Sequence, residues 1–207
     1  MPRERRLNAL DLIHSTDHEL VTFARQGSEK AYRELLDRYQ RPVFSLVYRM
    51  VRDRERAEDI AQETFVKVFN NLESYNPKYK FSSWIFKIAN NLAIDTLRRK
   101  ELRTVSLDGS RNATTAEETE SSRITVASAD ANPEEQLEAK ELGGEIEAAI
   151  GQLRAEYRTA ILLRHVEGRP YEEIAEIMDV PLGTVKTYIH RARSELRELL
   201  AHLRIET

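Results

Sequence analysis

The chain has no cysteine, which excludes disulfides, thiol chemistry and Cys-ligated metal sites. Glycine is scarce, with only seven residues in 207, and no Gly-rich phosphate loop can be traced. Long apolar runs are also missing. The longest uncharged one, Pro42–Tyr48, falls far short of the ~20 residues that a membrane-spanning helix needs. The basic start, MPRERRLNALDLIHSTDHEL, has no apolar segment long enough for a signal peptide. These absences lead us to expect a cytoplasmic protein without membrane insertion. No convergent Ser/His/Asp, Cys/His or metal-ligand pattern is present either, so an enzyme is the least favoured class and neither cofactor nor metal is expected.

The chain does have a 41% apolar share, enough for packed cores, beside 32% charged residues. With so little glycine, that balance favours an all-α fold, and the length suits one to two domains.

The segment Tyr171–Leu196 reads YEEIAEIMDVPLGTVKTYIHRARSEL. Ile174, Ala175, Ile177 and Met178 are apolar in its first half. In its second half Val185, Ile189, Ala192 and Leu196 recur at i, i+4, i+7 and i+11, one face of a helix. Between them Pro181 cannot continue the first helix but suits the start of the second. Ala175 is small enough for two helices to cross closely. The layout is that of a helix-turn-helix.

The other face of the second helix carries Lys186, Thr187, His190, Arg191 and Arg193. From Thr184 to Arg204, five basic residues oppose two acidic ones, a local balance of +3 in a chain whose net charge is −3. Cations gathered on one helix of an acidic protein suit phosphate contact, and Lys186, Thr187, His190 and Arg191 could reach base edges in the major groove. The same pattern also suits a solvated amphipathic helix of a bundle.

Earlier in the chain, residues 1–15 are expected to be loosely ordered. Ser15-Thr16-Asp17 offers an N-cap for a first helix, which Gln26-Gly27-Ser28 stops. A second helix follows, and Pro42 is expected to kink or interrupt it. In the third, Ala57–Leu72, an apolar stripe of Ile60, Ala61, Thr64, Phe65, Val68 and Leu72 backs a polar face of Glu58, Asp59, Gln62 and Glu63. That face is open and has no histidine at ligand spacing, so metal binding and acid–base catalysis are rejected.

The loop 73–83 mixes Tyr75, Tyr79 and Phe81 with Lys78 and Lys80, and leads into a helix from Trp84 to Lys100. From Lys78 to Arg103 the balance is +5. Cations interleaved with aromatics suit single-stranded DNA, whose bases stack on rings while the groove tracks phosphates; the alternative is that the rings are core. Trp84 and Phe81 are expected to be partly core, Tyr75 and Tyr79 less so. Residues 104–136 turn to Ser, Thr, Ala and acids, with a balance of −5, and read as a flexible linker. The expected organisation is therefore an N-terminal helical module over 1–103, the linker over 104–136 and a C-terminal module over 137–207. In the last, Leu137, Leu142, Ile146, Ala149, Ile150 and Leu153 would begin the core.

GTVKTYIHRAR after YEEIAEIMDVP resembles the promoter-reading module of bacterial sigma factors of the extracytoplasmic-function (ECF) group. DRERAEDIAQETFVKVFNNL and FSSWIFKIANNLAIDTLRRK resemble that group's N-terminal module. The resemblance implies a sigma factor that brings core RNA polymerase to promoters. The minus-thirty-five element would be read as duplex, and the minus-ten element as melted single strand. By position, it implies polymerase contact at Asp59, Gln62, Glu63 and Lys67. Minus-ten contact falls at Tyr75, Lys78, Lys80, Trp84, Lys87, Asn91, Arg98 and Arg99. Minus-thirty-five contact falls at Arg164, Lys186, Thr187, His190, Arg191 and Arg193. An anti-sigma factor is an implied partner. A simple duplex-binding regulator and a helical interaction protein of anti-sigma type remain the competing readings.

Overall fold

Side-chain caps set where the first helices begin. Thr16 accepts from the Glu19 amide while the Glu19 carboxylate accepts from the Thr16 amide, a capping box that opens α1, Asp17–Arg25. Ser28 caps α2, Glu29–Val51, and Asp53 caps α3, Arg54–Asn70. Gly27, at φ +89°, supplies the left-handed step between α1 and α2. After a short 3-10 turn at Leu72–Ser74 come α4, Phe81–Leu107, and then α5, Pro133–Gln152; α6, Ala155–His165; α7, Tyr171–Met178; and α8, Leu182–Leu199. This computed structural model describes residues 12–107 and 133–203, and no strand occurs among them. The fold is all-α, as expected. The expected linker lies mostly outside the described residues.

Three local expectations change. Pro42 does not interrupt α2, which runs through it for 23 residues; buried Tyr39, Val43, Leu46 and Val47 on either side hold the helix against α1, α3 and α4, and packing outweighs the lost backbone bond. Residues 12–15 are not loose. Leu12 is buried, and Arg38 donates to the Leu12 and Ile13 carbonyls at 3.1 and 3.0 Å. Leu137 is 56% exposed, because it precedes the stretch of α5 from Ile146 onward that meets the core.

The stripe expected on α3 is buried throughout: Ile60, Ala61, Thr64, Phe65 and Val68, with Leu72 beyond its end. In the C-terminal half, Ile174 and Ile177 of α7 and Val185, Ile189 and Ala192 of α8 are buried against α6. The two halves share one continuous apolar cluster. α7 lies on α4, and α6 lies on α2.

Candidate nucleic-acid interface

Helix α8 starts after Pro181, whose fixed φ of −58° suits the entry. Asp179 makes the turn before it in the left-handed region, at φ 58°; among residues other than glycine, Asp and Asn adopt that region most readily. Val185, Ile189 and Ala192 face inward. Lys186, Thr187, His190, Arg191 and Arg193 are all exposed on the opposite side. The structure brings the five expected residues together on one open face.

Two of the five are braced from α6. The Arg191 guanidinium donates to the Tyr157 hydroxyl at 3.1 Å, and that bond holds the Arg191 pKa above its ordinary value. Tyr157 is buried, with its ring 5.5 Å from that of Tyr188. Arg193 Nη2 lies 3.1 Å from His165 Nε2. Burial, then the charges of Arg193 and Arg164, push the His165 imidazole down. Arg164 is half-buried, donates to the Arg169 carbonyl at 3.0 Å and stacks over Tyr171 at 5.0 Å. It belongs to the frame behind the open face.

The N-terminal surface is less open. Tyr75 is corrected: it is 5% exposed rather than loop-facing. Its ring lies 5.6 Å from Phe81 and 5.4 Å from Trp84, and its hydroxyl donates to the Tyr79 carbonyl. Burying three rings together outweighs leaving one in water, and the cluster shapes the loop instead of offering Tyr75 for stacking. Tyr79 is the exposed ring, at 54%. Lys78 and Lys80 are exposed beside it; Trp84 and Lys87 are half-buried; Asn91, Arg98 and Arg99 are exposed along α4.

Sequence reasoning missed what faces this surface. Lys80 Nζ lies 3.0 Å from Glu173 Oε2, and Lys87 Nζ lies 3.1 Å from Asp179 Oδ1. Glu173 is only 4% exposed. It also accepts from Ser82 Oγ at 3.0 Å and Arg169 Nη1 at 2.8 Å. Burial pushes its carboxyl up, but these donors and charges outweigh that and hold its pKa below the ordinary value. Nearby, Thr159 donates to buried Asn90 at 2.9 Å, and the Arg169 guanidinium stacks over Phe86 at 4.8 Å. The signal available in the sequence was spacing: Glu173 is four residues before buried Ile177 and four after Arg169.

On α3, Asp59, Gln62, Glu63 and Lys67 are all exposed, and Lys67 pairs with Glu63 at 3.0 Å. Val66 sits among them, 57% exposed, and went unremarked because it lies one position off the stripe. No group of three or more His, Cys, Asp or Glu that could hold a metal occurs among the described residues. No helix among them is long and apolar enough to cross a membrane.

Two family models match this chain: sigma-70 region 2 over residues 35–103, and sigma-70 region 4 over residues 143–196. A chain with these two regions in this order is a sigma factor, a transcription initiation factor and not an enzyme. It is 36% identical to the ECF RNA polymerase sigma factor SigW of Bacillus subtilis over 182 residues, 86% of this chain and 94% of that protein. It is 38% identical to the ECF RNA polymerase sigma-E factor of Escherichia coli over 181 residues, 87% of this chain and 92% of that one. This chain belongs to the ECF group of RNA polymerase sigma factors, which direct promoter-specific transcription. Its fold is similar to that of the sigma factor RpoE solved with the anti-sigma factor NepR from Bartonella quintana, with a TM-score of 0.64 and 24% identity over 83% of this chain and 98% of that one.

Proposed function

We propose that the chain docks on core RNA polymerase through the outer face of α3 and splits promoter reading between its halves. Asp59, Gln62, Glu63 and Lys67 form the polymerase contact. Helix α8 enters the major groove of the minus-thirty-five element as duplex, with Lys186, Thr187, His190 and Arg191 at base edges and Arg193 on phosphate. Arg164 supports that contact from behind. The loop with Lys78, Tyr79 and Lys80 receives the minus-ten element once it is unpaired, together with Trp84, Lys87, Asn91, Arg98 and Arg99 along α4; Tyr75 shapes that loop from inside. An anti-sigma factor, the kind of partner named in the RpoE complex, is a candidate partner here.

The observation that supports this reading best is the exposed row Lys186–Arg193 standing opposite buried Val185, Ile189 and Ala192. The test is permanganate footprinting of unpaired thymines with the reconstituted holoenzyme, on duplex promoters and on templates already mismatched at minus ten. Arg191→Ala should weaken closed-complex formation by roughly 1–3 kcal/mol and relax preference at one base pair. Pre-opening should not rescue it. Asn91→Ala should leave closed complexes nearly intact and impair opening, or shift preference within the minus-ten element. If pre-opening rescues both variants or neither, the division of labour fails. Tight, sequence-specific duplex binding by the chain without polymerase would favour the simple-regulator reading instead.

A further inference from the structure

One arginine, distant in sequence, holds the backbone at the start of the loop that carries Tyr79. Arg25 ends α1, a helix that lies before the stretch matched by sigma-70 region 2, residues 35–103. Its guanidinium donates to the Leu72 carbonyl from Nε and Nη2 at 3.1 and 2.8 Å. Nη2 also donates to the Glu73 carbonyl at 3.1 Å and to the Tyr75 carbonyl at 2.7 Å. The same group lies 6.0 Å from the centre of the Tyr75 ring and pairs with the exposed Glu73 carboxylate at 3.7 Å. Three carbonyls within four residues thus converge on one planar fork of donors, a geometry that arginine can serve and lysine cannot.

Helix α1 is itself fixed at its other end. Asp17 accepts from Arg38 at 2.9 Å and from the Tyr39 hydroxyl, both on α2. On the loop side the contacts run on. The Tyr75 hydroxyl donates to the Tyr79 carbonyl at 2.7 Å. The Tyr79 amide donates to the Asn76 carbonyl at 3.1 Å, and the Lys78 amide to Asn76 Oδ1 at 3.0 Å. Arg25, Tyr75 and Tyr79 therefore form one line of contacts, from the end of α1 to the exposed ring beside Lys78 and Lys80. A ring whose backbone is already fixed receives a base with less ordering left to do on binding.

We propose that Arg25 is a positioning residue for the minus-ten loop: through Tyr75 it fixes the backbone that carries the Tyr79 ring, and so sets how tightly the loop holds an unpaired base at one position. This rests on the minus-ten reading above. Arg25 touches no DNA in this role, because its Nε and Nη2 donors are engaged by carbonyls. A solely structural arginine would tie α1 to the turn, and its loss would lower stability without changing how the strand is read.

The experiment uses the reconstituted holoenzyme and single-stranded oligonucleotides carrying the minus-ten element of a promoter that it transcribes in vitro, with the base changed one position at a time. Binding is read by fluorescence anisotropy. Tyr79→Ala should weaken it on the order of tenfold, since an aromatic platform is lost. Arg25→Lys keeps the charge but cannot serve three carbonyls, and should weaken it on the order of fivefold. Tyr75→Phe breaks only the hydroxyl link and should weaken it on the order of threefold. Both of these losses should fall at one oligonucleotide position and should vanish in the Tyr79→Ala background. The chain's single tryptophan, Trp84, has its ring 5.4 Å from that of Tyr75, so its emission should change in free Arg25→Lys at unchanged circular dichroism. If Arg25→Lys does not fold, Tyr75→Phe carries the same cycle with Tyr79→Ala. Losses that persist in full in the Tyr79→Ala background, or spread evenly over all positions, overturn the positioning role and leave Arg25 a structural brace. Unchanged binding by folded Arg25→Lys and Tyr75→Phe overturns it as well. If Tyr79→Ala itself binds as tightly as the parent, the loop is not a single-strand site, and the minus-ten reading of the loop fails together with the role of Arg25.

Discussion

The two candidate DNA surfaces differ in what their cations already touch. On α8, Lys186, Arg191 and Arg193 stand in solvent, and the contacts made by Arg191 and Arg193 run to Tyr157 and His165 behind them, not to acids. On the loop and α4, Lys80 and Lys87 are already matched to carboxylates from the other half. On the reading proposed above, the α8 surface is free for a duplex groove, which exists before polymerase acts. The other would meet a strand that exists only after melting, and in the free chain its cations are engaged. On that reading, the order of the two events would be mirrored in which surface is open.

The largest effect should come from a third surface that neither half's DNA contacts explain. Asp59→Lys combined with Glu63→Lys reverses the exposed face of α3 without touching its buried stripe. Co-purification with core polymerase should be abolished while circular dichroism stays unchanged. If the double variant still co-purifies, the outer face of α3 is not the docking surface, and the comparison reduces to two DNA surfaces without a common platform.

Next in size is a substitution beneath the contact between the halves. Phe86 is fully buried and lies under the Arg169 guanidinium. Phe86→Ala should lower stability by roughly 3–5 kcal/mol, whereas Lys186→Ala on the open face should stay within about 0.5 kcal/mol. Urea unfolding measures both. Similar losses would mean that α8 is also packed against something, and that the distinction between open and covered surfaces is wrong.

Periodicity made the fold legible wherever one face is buried. The α3 stripe and the Val185–Ile189–Ala192 row were readable because a helix that packs on one side repeats its apolar residues at a fixed spacing. The exposed row on α8 was legible for the same reason in reverse. What the sequence concealed depends on the other half of the molecule. The burial of Glu173 was not legible, because nothing within its own helix reveals that Lys80 and Ser82, some 90 positions earlier, come to meet it. Tyr75 reads as a loop aromatic because its burial is decided by Phe81 and Trp84 folding back over it. Pro42 passed through α2 because tertiary packing overrode a local rule.

A smaller effect tests how the open surface is organised. Tyr157→Phe removes the hydroxyl that Arg191 donates to and leaves the ring stacked near Tyr188. One such hydrogen bond contributes about 0.5–1.5 kcal/mol. The variant should fold normally and bind the minus-thirty-five duplex in holoenzyme slightly more weakly. The loss of discrimination should fall at the one base pair where Arg191→Ala relaxes it. A uniform loss across all positions would show that Tyr157 only supports the fold.

The smallest expected effect is none at all, and it separates a charge-held contact from a pH switch. Glu173 faces Lys80, Arg169 and Ser82, and its folded pKa lies below the ordinary carboxylate value. Unfolding or opening would return it toward about 4.3. The stabilisation from the ionised form is therefore complete above that value, and is lost only as pH falls through the lowered folded one. The radius of gyration of the free chain should hold constant from about pH 5 to about pH 8 at fixed salt. Glu173→Lys, which sets a cation against Lys80, should enlarge it at every point in that range. A transition inside it would mean that a group other than Glu173 governs the contact between the halves. His165 would then be the first to replace, because its imidazole is already pushed down by burial and by Arg193 and Arg164.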